Sequence, residues 1–178
     1  MAIFYPQKIL TTNKTEVTFA YNNYSSMIFA NSGSAGVTID LYVTSQIGTD
    51  ITDTDSEVNG TFAVGLTTAV AITNGGTAAT SDMFLNEQVW KSNGTLFGIC
   101  TAFGSAAAIT FGGGLVRAMA NDDDLYVGTR HHFLKNVKIP KGSSLKLTSD
   151  EFKFDDTNYK LYINSSSATG DIDIITRY

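Results

Sequence analysis

Apolar and polar residues alternate along much of this chain. The alternation is clearest over residues 16–21, 37–43 and 171–174. A period of two places successive side chains on opposite faces, which is typical of a strand with one buried face. Shorter runs of the same kind bring the total to about a dozen predicted strands, at 26–30, 61–64, 70–72, 88–90, 96–100, 108–111, 125–127, 133–139, 144–147 and 160–163.

Turn residues separate these strands at short spacing, as in Asn31–Gly36, Pro140–Gly142 and Ser165–Gly170. Asn93-Gly94, flanked by apolar residues, predicts a hairpin with a two-residue type I′ turn. Helix signals are confined to residues 81–87 and 114–121. The predicted fold class is therefore all-β, an antiparallel β-sandwich of jelly-roll or immunoglobulin type with a β-rich insertion and at most short helices.

The length of 178 residues favours a single domain over residues 1–178. Composition shifts within it, because residues 46–123 are richer in Gly, Ala and Thr than the flanks. We expect residues 1–45 and 124–178 to form most of the sandwich, with 46–123 as an insertion that projects from one end. The alternative is that the middle strands complete the same two sheets.

Charge and cysteine content exclude several classes of partner. The net charge is −5, and the 12 Lys and Arg residues are scattered, which disfavours nucleic-acid binding. The single Cys100 excludes an intrachain disulfide and a thiolate metal cluster. The first residues lack a signal-peptide pattern, and no apolar run approaches the roughly eighteen residues of a membrane span. We expect cytoplasmic synthesis and no membrane partner.

The acidic residues suggest a calcium loop at first sight. Asp55, Glu57, Asn59 and Gly60 fit positions one, three, five and six of an EF-hand loop, but position twelve is Leu66 instead of a bidentate Glu. The register fails, and a solvated acidic loop is the better interpretation. The runs Asn121–Asp124 and Asp155-Asp156 receive the same interpretation, so no metal site is predicted.

Other candidates for chemistry are few. His131 and His132 are adjacent, so in a strand they point to opposite faces and cannot chelate one metal; we expect one inside and one outside. Cys100 lies in an apolar strand pattern that predicts burial. Gly112–Gly114 lacks the remaining residues of a phosphate-binding loop. We therefore expect no enzyme activity, no catalytic residue and no cofactor.

Three parts of the chain resemble small structural proteins of tailed-phage virions, especially of marine cyanophages. The first is a strand ending in Ile-Pro, a Gly turn and an alternating strand, over 133–147, followed by 158–163. Residues 31–43 look like its partner half, and 89–98, 108–114 and 123–130 resemble an insertion found in such proteins. The resemblance implies a virion role, with no functional residues to carry over.

The leading expectation is thus a capsid decoration or cement protein that contacts the major capsid protein or other virion proteins, with a homo-oligomer left open. The aromatic segment Ile3, Phe4, Tyr5 and Pro6 is the candidate docking site, unless it tucks under its own sandwich. One alternative is a neck, tail or fibre protein. Another is a carbohydrate-binding module, which requires solvent-facing rings such as Trp90, Tyr126 and Tyr162.

Overall fold

A computed structural model describes residues 3–9, 14–19, 24–73, 84–105, 108–167 and 171–178. Within these ranges the chain is all-β, without a helix, and its paired strands run antiparallel. This confirms the predicted class. The strands are β1 (Phe4–Ile9), β2 (Thr15–Glu16), β3 (Ser26–Asn31), β4 (Val37–Ser45), β5 (Ile51–Val58), β6 (Val70–Thr73), β7 (Gln88–Trp90), β8 (Leu96–Ser105), β9 (Ala108–Gly112), β10 (Asp124–Gly128), β11 (Arg130–Ile139), β12 (Ser144–Thr148), β13 (Tyr159–Ser165) and β14 (Ile172–Arg177).

The chain forms two compact units, one from residues 1–44 and 130–178 and the other from residues 45–129. The composition shift placed the second boundary at 123/124, but β10 pairs with β5 and β7 and so belongs to the middle unit. In the described part of the first unit, the strands form two four-stranded sheets, in the orders β1-β14-β3-β12 and β11-β4-β13-β2.

One apolar cluster joins the two sheets of the first unit. Val37, Ile39, Leu41 and Val43 alternate along β4 and are all less than 5% exposed. They pack with Phe29 and with the alternating residues of β11 to β14. The period-two pattern read from the sequence is therefore the pattern that buries this core.

The second unit is a closed barrel in the order β10-β5-β6-β9-β8-β7. Its core includes Val58, Phe97, Ile109 and Leu125, which are at most 1% exposed. Closure removes the open edges that a sheet of this size would otherwise expose.

Three local predictions in this unit are wrong. Residues 51–58 form strand β5 and not an acidic loop: the alternate residues Thr54, Ser56 and Val58 point inward and are buried, and the Thr54 hydroxyl donates to the carbonyl of Leu125 at 2.6 Å. Residues 61–64 contribute only an isolated bridge, between Phe62 and Met119. Residues 114–121, predicted as a helix, are turns and irregular chain with one bridge at Met119. Residues 84–87 of the other predicted helix are bends and turns, and residues 81–83 lie outside the described residues.

The Asn93-Gly94 hairpin exists, but its turn is not type I′. Strands β7 and β8 pair with Trp90 opposite Leu96, and the loop closes with Lys91 N–H on the carbonyl of Thr95 at 2.9 Å. Gly94 N–H bonds the Lys91 carbonyl, and Gly94 has a φ of 79° while Asn93 has a negative φ. This is a three-residue loop, a type I turn followed by a left-handed glycine.

We predict that Gly94→Ala destabilises the barrel more than Gly113→Ala does. Both residues have positive φ, so each substitution adds strain of about 1 to 2 kcal/mol. A Cβ at Gly94 would in addition lie 2.6 Å from the carbonyl oxygen of Gly48, whereas a Cβ at Gly113 would meet nothing within 4 Å. For Gly94→Ala we therefore expect the free energy of unfolding to fall by about 2 kcal/mol more than for Gly113→Ala. The fluorescence of Trp90, the single tryptophan, reports barrel unfolding in denaturant titrations. Equal losses of unfolding free energy in the two variants would contradict the role of the close approach between Gly94 and Gly48.

Candidate docking site at an edge strand

The N-terminal aromatic segment lies in strand β1, at one edge of the β1-β14-β3-β12 sheet. Ile9 at the inner end of the strand is fully buried. The Gln7 side chain bridges to the start of the other sheet: its amide donates to the Glu16 carbonyl at 2.8 Å and accepts from Thr18 N–H at 3.3 Å. These contacts hold the strand in place on both sides.

The first residues of β1, and Ile3 directly before it, are exposed. Ile3, Phe4 and Tyr5 are 50%, 56% and 42% exposed, and Pro6 is also exposed. The Arg177 guanidinium lies 5.9 Å from the Phe4 ring centroid, on the neighbouring strand. The segment is therefore an ordered strand with its side chains in solvent, and does not tuck beneath its own sheets. Consecutive exposed apolar residues of this kind mark interaction sites.

The backbone of β1 opposes pairing with another strand. Tyr178 N–H donates to the Ile3 carbonyl at 3.0 Å, and in the antiparallel register this directs residues 5 and 7 toward β14. The backbone groups of Phe4, Pro6 and Lys8 then face the free edge. Pro6 has no N–H, so the free edge lacks a donor at its centre. A partner is expected to contact the side chains of β1 and not to extend its sheet.

The acidic residues do not assemble a metal site. In the part of the chain that the structure describes, no group of three or more His, Cys, Asp or Glu side chains is placed to hold a metal ion. Asp53 and Asp55 lie on the exposed side of β5, at an irregular register with β10. Asp155 accepts hydrogen bonds from Thr157 N–H and the Asn158 amide, which explains its lowered pKa.

Asp123 is the one member of these acidic runs that is buried and paired. Its carboxylate accepts from Lys91 Nζ at 2.5 Å and from Ala120 N–H at 2.8 Å. Burial by itself would raise the pKa of Asp123, but the bond and charge of Lys91 and the Ala120 bond outweigh it and lower that pKa. This contact ties the 91–95 loop to the chain preceding β10, so its role is structural.

Both histidines are exposed, which contradicts the expectation that one lies inside. They sit on β11, an edge strand, with His131 opposite the core residue Val43 and His132 opposite Tyr42. None of the described strands pairs with the outer edge of β11, so His131, on the side of the core residue Val43, stays open to solvent. Desolvation and then the nearby Lys135 lower the pKa of His132, and the His131 ring meets Tyr159 edge-on at 5.9 Å.

The remaining candidates are accounted for by packing. Cys100 is fully buried, and Gly113 and Gly114 form a tight left-handed turn after β9. Trp90 and Tyr162 are 8% and 1% exposed, so with Tyr126 they cannot form a solvent-facing ring platform for a sugar.

Sequence reasoning missed an aromatic cluster in the first unit. A surface cleft of about 470 Å³ is lined by residues that include Tyr24, Phe154 and Asp156. Burial, followed by the charge of Asp156, raises the pKa of Tyr24. The Tyr24 ring stacks on Phe19 at 4.7 Å and on Phe152 at 4.8 Å, so the ring is engaged in packing and not available to stack on a ligand. The spacing of these aromatics in the sequence is irregular, which left no pattern to detect.

Comparison with known proteins adds no relative: no protein-family model, no curated protein and no solved structure matches this chain. Within the described ranges, no helix is long and apolar enough to cross a membrane.

The lowered pKa of Asp123 predicts acid sensitivity of the barrel. A carboxyl whose pKa is lower in the folded state stabilises it above the unfolded pKa, near 3.9, and this stabilisation is lost as pH falls through the folded pKa. We expect Lys91→Met to shift the acid unfolding of the barrel, followed by Trp90 fluorescence, to higher pH. Lys141→Met, at an exposed lysine of the other unit, is the control. Coincident acid transitions for Lys91→Met and wild type would refute the role of this pair.

Proposed function

We propose that this protein is a structural component of a tailed-phage virion, a capsid decoration protein that stabilises the head through protein–protein contacts. The carrying observation is the exposed segment Ile3 to Pro6, held in an ordered edge strand. The resemblance of residues 31–43, 133–147 and 158–163 to small virion proteins supports the same assignment. On this proposal the first unit is a jelly-roll-like or immunoglobulin-like β-sandwich, and the protein is made in the host cytoplasm and resides in the virion.

The geometry of the segment suits a docking element. Phe4 and Tyr5 are large side chains with few rotatable bonds, the type that anchors protein interfaces. Pairing with β14 orders the backbone before a partner arrives, so association does not have to order a flexible arm. Because successive strand residues point to opposite faces, Phe4 and Tyr5 lie on the two sides of the free edge, and a partner that contacts both rings has to wrap around that edge.

The location on the particle has an alternative. A neck, tail or fibre protein would also need an exposed apolar docking segment. Immunogold labelling of purified particles separates these cases, because label on heads supports decoration and label confined to tails supports the alternative. A carbohydrate-binding module has lost its specific support, since Trp90 and Tyr162 are buried.

We predict that the double substitution Phe4→Ala, Tyr5→Ala lowers binding to heads assembled from the major capsid protein of the same phage by at least about tenfold. The lost contacts are those of two exposed rings that bury their surface only in the complex. Binding of the full-length protein is measured by co-sedimentation with the heads. The free energy of unfolding is expected to stay within about 1 kcal/mol of wild type, because the truncated side chains are exposed.

Val64→Ala is the matched control, since Val64 is 62% exposed and lies in the barrel. The control should bind as wild type does. Equal binding by the double variant would overturn the docking role of the segment, and absence of binding by the wild type would overturn head decoration.

A further inference from the structure

Phe4 and Pro6 of the docking segment belong to a larger surface, the outer face of the β1-β14-β3-β12 sheet. Strand register and alternation place side chains from all four strands on this face in three cross-strand rows. The rows are Phe4, Arg177, Ser26, Thr148; then Pro6, Ile175, Ile28, Lys146; then Lys8, Asp173, Ala30, Ser144.

The middle row of this outer face is apolar. Pro6 is exposed, and Ile175 and Ile28 beside it are half-buried. Neither isoleucine belongs to the apolar cluster inside the unit, which takes the alternate residues Ile174 and Phe29. Antiparallel sheets with one solvated face place polar residues there. An apolar row that joins Phe4 across neighbouring strands is therefore a surface suited to contact with a partner.

The charges around this row are mostly positive. Lys8, Lys146 and Arg177 lie at its margins, against two carboxylates, those of Asp173 and of Glu151, which accepts from the Thr148 hydroxyl at 2.9 Å. Among the described residues, none of these three cations forms a salt bridge. With three cations and two carboxylates, this face carries a small net positive charge in a chain of net charge −5. Complementarity therefore calls for a partner surface with an acidic rim.

We propose that the outer face of the β1-β14-β3-β12 sheet binds a virion protein surface that has an apolar centre and an acidic rim. This inference rests on the proposed function and extends the docking site from one edge strand across the sheet. A second copy of the chain fits poorly, because a two-fold contact would set two cationic faces against each other. A lipid bilayer also fits poorly, because half-buried Ile28 and Ile175 do not project far enough to enter it.

The decisive variants are Lys146→Glu and Ile28→Thr, tested in the full-length protein against the same assembled heads. Strand β12 is three strand spacings from β1, roughly 14 Å at about 4.8 Å per spacing. Docking through the N-terminal segment alone thus predicts no effect of Lys146→Glu. Docking through the whole face predicts about tenfold weaker binding for each variant. The difference in affinity between Lys146→Glu and wild type should become smaller as the salt concentration rises.

Lys153→Glu is the matched control, an exposed lysine of the same unit in the loop after β12, and thermal unfolding checks that each variant is folded. Wild-type-like binding by folded Lys146→Glu and Ile28→Thr would overturn the face while leaving head decoration intact. Failure of wild type to bind heads would overturn both proposals. Binding of wild type to phosphatidylglycerol vesicles, or a concentration-dependent dimer abolished by Ile28→Thr, would replace the protein partner with lipid or with a second copy.

Discussion

The antiparallel pairing of β4 with β11 is the constraint on which the first unit depends. These strands come from the two sides of a long insertion, and their register runs from Arg130 opposite Thr44 to Ile139 opposite Val37. Bringing such distant segments together costs closure entropy. The barrel lowers that cost, because its own ends meet: Ser45 N–H bonds the Thr129 carbonyl at 3.2 Å, and Gly128 leaves room for the Ser45 backbone. Residues 45 and 129, the two ends of the barrel unit, are therefore held next to each other.

In the first unit, the side chains of each strand divide between the core and the outer surfaces. The alternate residues of each strand enter one shared cluster, and the intervening residues are left to meet water or a partner. On the β1-β14-β3-β12 sheet those residues are apolar in the centre, and the cations at the margin outnumber the carboxylates. The barrel is different in charge: of the 12 Lys and Arg residues, only Lys91 and Arg117 belong to residues 45–129. The proposed docking chemistry is thus a property of the first unit.

The sequence was informative wherever burial alternates with apolar residues. Strands β4 and β14 follow that rule, and the Asn93-Gly94 hairpin was found because glycine accepts positive φ. Strand β5 was missed because its buried positions include Thr54 and Ser56. In a sequence, such polar residues indicate a segment exposed to solvent. Strand β1 was missed for the opposite reason, since its exposed positions are aromatic. The three-residue loop of the hairpin brings Gly94 against the backbone of Gly48, a long-range approach that the local sequence does not show.

The docking site shows the same limit. Ile3 to Pro6 stood out in the sequence because aromatic residues before a proline are of the type that anchors on a partner. The wider face depended on knowing that β1, β14, β3 and β12 are neighbours, an order that brings together residues from both ends of the chain. Ile28, Lys146 and Ile175 are unremarkable in the sequence and become adjacent only through the register.

Electron cryomicroscopy of the phage particle tests the central claim most directly. The account predicts that density for this protein lies on the head, with the outer face of the β1-β14-β3-β12 sheet, including Phe4 and Ile28, turned toward the capsid shell. Particles whose heads lack this density, or in which that face points into solvent, would contradict it.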